Sequence, residues 1–115
     1  MSRIAAVATA EGVQVAGSCE LADSFGSRFL GLMGRKTLDQ GSGMLITHTG
    51  SVHTFFMRFA IDVVFLDSSY RVLRVVPALK PWRAAFAMRA KTVLELPAGA
   101  AAAAGLGPGS RLVVG

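Results

Sequence analysis

Residues 43–67 read GMLITHTGSVHTFFMRFAIDVVFLD. This stretch holds both histidines of the chain, two of its five methionines and two of its seven acids. Its apolar runs are short, β-branched or aromatic, and broken by turn residues, which is the pattern of strands. Met44–Thr47 reads as a buried strand, and Thr54–Arg58 and Val63–Asp67 read as two more. On a period of two, His53, Phe55 and Met57 share one face while Thr54, Phe56 and Arg58 share the other. Past a bend at Ala60-Ile61, Asp62, Val64 and Leu66 alternate with Val63, Phe65 and Asp67.

Working outward, the flanks continue as short segments. Ile4–Thr9 and Val13–Cys19 are separated by Glu11-Gly12, which predicts a hairpin. Asp23-Ser24 can cap a helix over about residues 24–33, in which Phe25, Phe29, Leu32 and Met33 fall on one face. Gly34 followed by Arg35-Lys36 would end it. Asp67-Ser68-Ser69 is a tight turn into a strand Arg71–Val76, and Pro77–Lys91 is a long excursion. Thr92–Leu96 alternates, Ala98–Gly105 suits a short alanine helix, and Arg111–Val114 closes the chain. Many short strands with one main helix give an α+β fold, a mostly antiparallel sheet curled into a small barrel. No repeat or boundary divides residues 1–115, so a single domain is expected.

Composition narrows the classes further. Apolar content of 52% with 17% charge is globular and excludes a disordered chain. The lone Cys19 excludes an intramolecular disulfide, so the fold rests on packing. The apolar run Ile4–Ala10 is about half a membrane span, and strand is the better reading of it. These features do not select a compartment: a cytoplasmic setting and, where an export signal precedes these residues, a periplasmic or other extracytoplasmic one both stay open.

Four stretches together resemble a known family. Arg28–Arg35, RFLGLMGR, resembles the R-x-x-G-L-M-x-R element of domain-of-unknown-function family number 192. Gly43–Ile46 is similar to its G-M-L-F strand, and Leu94–Gly99 to its L-E-L-P-A-G close. His53–Asp67 resembles its centre, F-W-M-K-N-T-x-x-P-L-D-x-x-F-x-D. Phe56 stands where the family often has tryptophan, and Phe59-Ala60 replaces its Asn-Thr pair. The resemblance implies a small, β-rich, single-domain protein. It implies no activity, since none is established for the family.

The candidate site follows from the central run. Asp62 is the costly residue, a carboxylate inside FAIDVVFL that must be paired or hydrogen-bonded if buried. Arg28, Arg58 or backbone amides at a turn could satisfy it; a ligand contact and a general-base role are the alternatives. Should the two strands adjoin, His53, Met57 and Asp62 converge on one wall, with Arg28, Met44 and Trp82 completing a pocket. The expected function is a non-enzymatic module binding a small molecule or a partner segment there. A small hydrolase- or isomerase-like enzyme using Asp62 and His53 is the alternative.

Other chemistries fail on residue type and spacing. His48, His53, Cys19 and scattered acids do not make up a metal-ligand set, so no metal and no cofactor are expected. Met33, Met44, Met57 and Met88 read as core filler ahead of copper ligands. The serines fit caps and turns, and the glycines form neither a phosphate loop nor a dinucleotide fingerprint. Glu95, set between Leu94 and Leu96, is expected at a rim or facing outward.

Charge supplies a second alternative. The net charge is +5, and Arg71, Arg74, Lys80, Arg83, Arg89 and Lys91 lie in a stretch without an acid. Tyr70, Trp82 and Phe86 are interleaved with them, as a single-stranded nucleic-acid groove requires. A solvated loop with Trp82 packed back onto the barrel is the preferred reading, which leaves nucleic acid as an unfavoured partner.

Overall fold

The computed structural model describes residues 3–22, 38–55 and 57–115. The helix expected over about 24–33, and Arg28 with it, lies outside the described residues. The first two strands, β1 (Arg3–Thr9) and β2 (Gln14–Ala22), form the expected hairpin, turning at Gly12 with φ of 94°. β3 (Ser42–Thr47) lies parallel to β2, and every other strand pair is antiparallel. Next come β4 (Ser51–His53), β5 (Ile61–Leu66), β6 (Val72–Leu79), β7 (Ala84–Phe86) and β8 (Thr92–Pro97). The alanine run forms α1 (Ala100–Ala103), and β9 (Leu112–Val114) ends the described chain.

Seven strands form one sheet in the order β6-β5-β8-β3-β2-β1-β9, while β4 and β7 make a separate ribbon. The sheet curls into a half-barrel. Its outer strands meet at one bridge, Arg71 to Arg111, flanked by Val72 N–H donating to the Ser110 carbonyl at 2.7 Å. The described part of the fold is therefore mostly β, with α1 as its only helix among the described residues. The curled, mostly antiparallel sheet is as expected, and the one main helix of the expected α+β balance falls in residues that are not described.

Alternation along the strands builds two cores. Val64 and Leu66 of β5, Leu94 and Leu96 of β8, and Leu45 of β3 point into the curl, where they meet Val7, Ala16, Val72 and Leu112. Met44, Ile46, Ile61, Val63, Phe65 and Val93 point the other way and pack under the ribbon with Val52, Met57 and the half-buried Ala85. Both faces of β5 and β8 are thus covered, and all six residues of each are buried. This overturns the expectation for Glu95. It lies opposite Met44 and Val63 at 0% exposure, because the sheet has no outward face there.

The expected strand Thr54–Arg58 is also corrected. β4 stops at His53, and the chain turns as Met57 N–H donates to the Thr54 carbonyl at 3.2 Å. Period-two counting fails beyond that point. His53 and Phe55 stay together, while Met57 turns into the second core.

Candidate functional site

Asp62 is the second residue of β5 and pairs with Leu96 of β8 on one side. On its other side β6 carries an extra residue: Ile61 faces Leu79, yet Val63 faces Val76. A bulge of this kind leaves one amide unpaired. Pro77 has no N–H to lose there, and Ala78 takes a left-handed φ of 48°. The orphaned Ala78 N–H donates to Asp62 Oδ1 at 2.8 Å. Asp62 Oδ2 accepts from Gly99 N–H at 3.0 Å and Ala101 N–H at 2.9 Å, which are donors at the start of α1. Three amides therefore hold a carboxylate that is 1% exposed. Backbone amides were one of the partners the sequence allowed; their source, a bulge plus a helix start 39 residues away, could not be read from it.

His53 sits at the end of the β4–β7 ribbon. The register pairs Ser51 with Phe86 and His53 with Ala84, so these four face outward, while Val52 and Ala85 face the core. The imidazole stacks on Phe55, with centroids 4.6 Å apart and planes at 27°. Phe55 in turn stacks on Trp82 at 5.8 Å and 24°. His53 Nδ1 accepts the Phe55 N–H at 3.3 Å, which orients the first ring against the second. Phe55, Trp82 and Phe86 are 40%, 55% and 63% exposed, and together with His53 they form an aromatic ledge. Trp82 is thus displayed, in place of the packed position expected of it.

Thr54 secures the ledge from beneath. Its buried hydroxyl donates to the Lys80 carbonyl at 2.6 Å and accepts the Arg83 N–H at 2.9 Å. Its carbonyl accepts the Trp82 N–H at 3.0 Å, and its N–H donates to the Arg83 carbonyl at 2.8 Å. The clamp holds Trp82 at φ of 63°, a conformation that costs a bulky side chain about 1–2 kcal/mol. Arg74 Nη1 donates to the Phe86 carbonyl at 2.7 Å, and Arg83 Nη1 to the Trp82 carbonyl at 3.3 Å. Two guanidinium groups are therefore fixed beside the rings.

The six residues singled out in the sequence divide accordingly. Met44 and Met57 are core residues at 2% and 6% exposure, and Asp62 is enclosed by its three amides. His53 and Trp82 meet on the ledge through Phe55, while Arg28 lies outside the described residues. Three cavities lined by described residues involve none of His53, Met57, Asp62 or Trp82. Phe55 and Thr54 were missed as site residues; the signal for them was His-Thr-Phe itself, once a turn follows it. No group of three or more metal-ligating side chains comes together among the described residues. No described helix is long and apolar enough to cross a membrane.

Similarity to other proteins agrees with this frame. Residues 6–114 match the sequence profile of a family described as "Uncharacterized ACR". A UPF0127 protein of Pyrococcus furiosus is 41% identical over 106 residues, covering 89% of this chain and 90% of the relative. One from Pyrococcus horikoshii is 44% identical over 87 residues, or 72% and 75% of the two chains. Among solved structures, a protein of unknown function from Novosphingobium aromaticivorans superposes with a TM-score of 0.80 at 22% identity, over 97% of this chain and 84% of the other. A protein from Sinorhizobium meliloti, provisionally described as a transcription regulator, gives 0.82 at 24%, over 99% and 94%. Both structural likenesses speak for the fold alone.

Proposed function

Since the chain belongs to domain-of-unknown-function family number 192, whose name carries no activity, we propose a function from its geometry: a non-enzymatic binding module that receives a partner on the aromatic ledge. The observation that carries this reading is the stack His53–Phe55–Trp82, held out to solvent by a buried threonine clamp at the cost of a left-handed tryptophan. Rings left in water gain most from being covered, and a rigid ledge loses little entropy when they are.

Charge selects the occupant. Arg74 and Arg83, bonded to the Phe86 and Trp82 carbonyls, and Lys80, whose carbonyl holds Thr54, are exposed beside the rings, and no acid occurs between Asp67 and Glu95. An extended protein segment with aromatic or apolar side chains among carboxylates complements both features. Single-stranded nucleic acid fits less well. The three rings stack on one another, with centroids 4.6 and 5.8 Å apart, which covers ring faces on which successive bases of a strand would otherwise stack. Met44, Met57 and Asp62 serve this reading as scaffold: the methionines fill the layer beneath the ribbon, and Asp62 fixes the sheet.

Trp82 is the only tryptophan, so its emission reports on the ledge directly. A short peptide of glutamates around phenylalanines is expected to shift and quench that emission at low salt, and to weaken as salt rises. Tighter, salt-sensitive binding of an oligonucleotide would reassign the ledge to nucleic acid. Emission unmoved by either probe would remove the ledge as a binding surface.

A further inference from the structure

We propose that the open end of the half-barrel is a second binding site, one that takes a small monocarboxylate with an apolar tail. The strands run from α1 at one end to this mouth at the other: β5 carries Asp62, which holds α1, as its second residue, and ends at Leu66, opposite Thr92 of β8 and Val72 of β6. α1 closes its own end, with Ala101 packed into the core inside the curl. Nothing comparable closes the other end among the described residues, where a cavity of about 330 Å³ opens. A barrel mouth is a common ligand position, and this volume is at the lower end of small-molecule sites.

The lining fixes the class of ligand. Leu21, Leu45 and Val114 supply an apolar wall continuous with the core inside the curl. Arg3, His48 and Tyr70 supply polar groups, and no acid is among the lining residues. A guanidinium matches a carboxylate with paired, charge-assisted hydrogen bonds, and a phenol or imidazole N–H can add a third. The apolar wall favours an alkyl or aryl tail over a bare inorganic anion.

Backbone geometry supports the assignment. His48 and Tyr70 both take left-handed φ, at 62° and 61°, although neither is glycine. They come from different connections, one after β3 and one in the β5–β6 turn, yet line the same cavity. Such conformations persist where the surroundings hold them and concentrate at ligand sites. Asp67 holds one: its Oδ1 accepts the Ser69 and Arg71 N–H groups, and its carbonyl accepts the Tyr70 N–H at 3.0 Å. Arg3 is held in register by its β1 pairing with Leu21. None of these residues belongs to the ledge, so this inference stands independently of the function proposed above.

The test is a titration of isotope-labelled protein with hexanoate, hexanol and inorganic phosphate, followed through the backbone amides. Hexanoate at millimolar concentration is expected to move the amides of Leu45, Thr47, His48 and Tyr70, and to leave those of Phe55 and Trp82 in place. Arg3→Gln removes an exposed charge without touching the core, and should weaken hexanoate by about tenfold or more. Tyr70→Phe, which keeps the ring, should weaken it less. Hexanol or phosphate binding as tightly as hexanoate would overturn the proposal. So would shifts confined to the ledge, or hexanoate binding unchanged by Arg3→Gln.

Discussion

At the scale of single residues, Asp62 shows how a buried carboxylate is made tolerable. It exchanges water for three amide donors that would otherwise be unpaired, one from a bulge and two from a helix start. In Asp62→Asn one oxygen becomes an NH2 group aimed at donors, so whichever way the amide turns some N–H loses its acceptor. The expected loss is about 2–4 kcal/mol, read as a lower midpoint in urea unfolding; an unchanged midpoint would show that the amides find other acceptors. Cys19 illustrates the opposite environment. Burial, and then the neighbouring Glu20 charge, push its thiol up to about 12. The thiolate is the reactive form, so alkylation in native protein at pH 8 should be slow and should keep pace with unfolding. Rapid labelling of folded protein would contradict that burial.

At the scale of elements, the ribbon β4–β7 decides what the ledge can do. One hydroxyl, that of Thr54, bonds the connection leading into β7 at Lys80 and Arg83. Thr54→Val keeps the shape, removes those bonds and leaves the Arg83 N–H without this acceptor. We expect about 1–2 kcal/mol of destabilisation and a red-shifted, more readily quenched Trp82, seen by fluorescence with and without acrylamide. The β5–β6 turn carries a pH dependence. Asp67 Oδ1 accepts the Arg71 and Ser69 N–H groups, which hold its carboxyl below the ordinary 3.8. A carboxyl depressed in the folded state stabilises above its ordinary value, and that contribution fades as pH falls through it. Wild type should therefore lose stability on acidification below about pH 4 more steeply than Asp67→Asn, whose acid limb should be flatter. Equal slopes in denaturation across that range would show that Asp67 contributes nothing.

These elements also show what the sequence makes legible. The strands of the large sheet, the Gly12 hairpin, the Asp67 turn and the alanine helix were readable, because each follows from alternation, a turn residue or local propensity, whereas β4 and β7 of the ribbon, the latter inside what read as one long excursion, were not. The orientation of Glu95 was not, since alternation says which residues share a face but not that both faces are covered. The end of β4 at His53 escaped because His-Thr-Phe continues a strand-like pattern through a turn that only Thr54's long-range bonds define. The mouth residues Arg3, His48 and Tyr70 lie far apart in the chain, and curling of the sheet brings them together.

At the scale of the whole molecule, two packed layers fix one rigid surface. Seven strands enclose the first core, and their other face carries the second core beneath the ribbon, so the ledge rests on buried residues throughout. A module of this kind needs no reactive centre; it needs a shape that does not relax when unoccupied. The deciding measurement is Trp82 emission during titration with the glutamate–phenylalanine peptide at low and high salt, beside a His53→Ala, Phe55→Ala double variant whose stability is checked by denaturation. A saturable, salt-weakened shift in wild type, abolished in a folded double variant, is the predicted result. Undiminished binding to that variant, or no saturable response in wild type, would contradict recognition at the ledge.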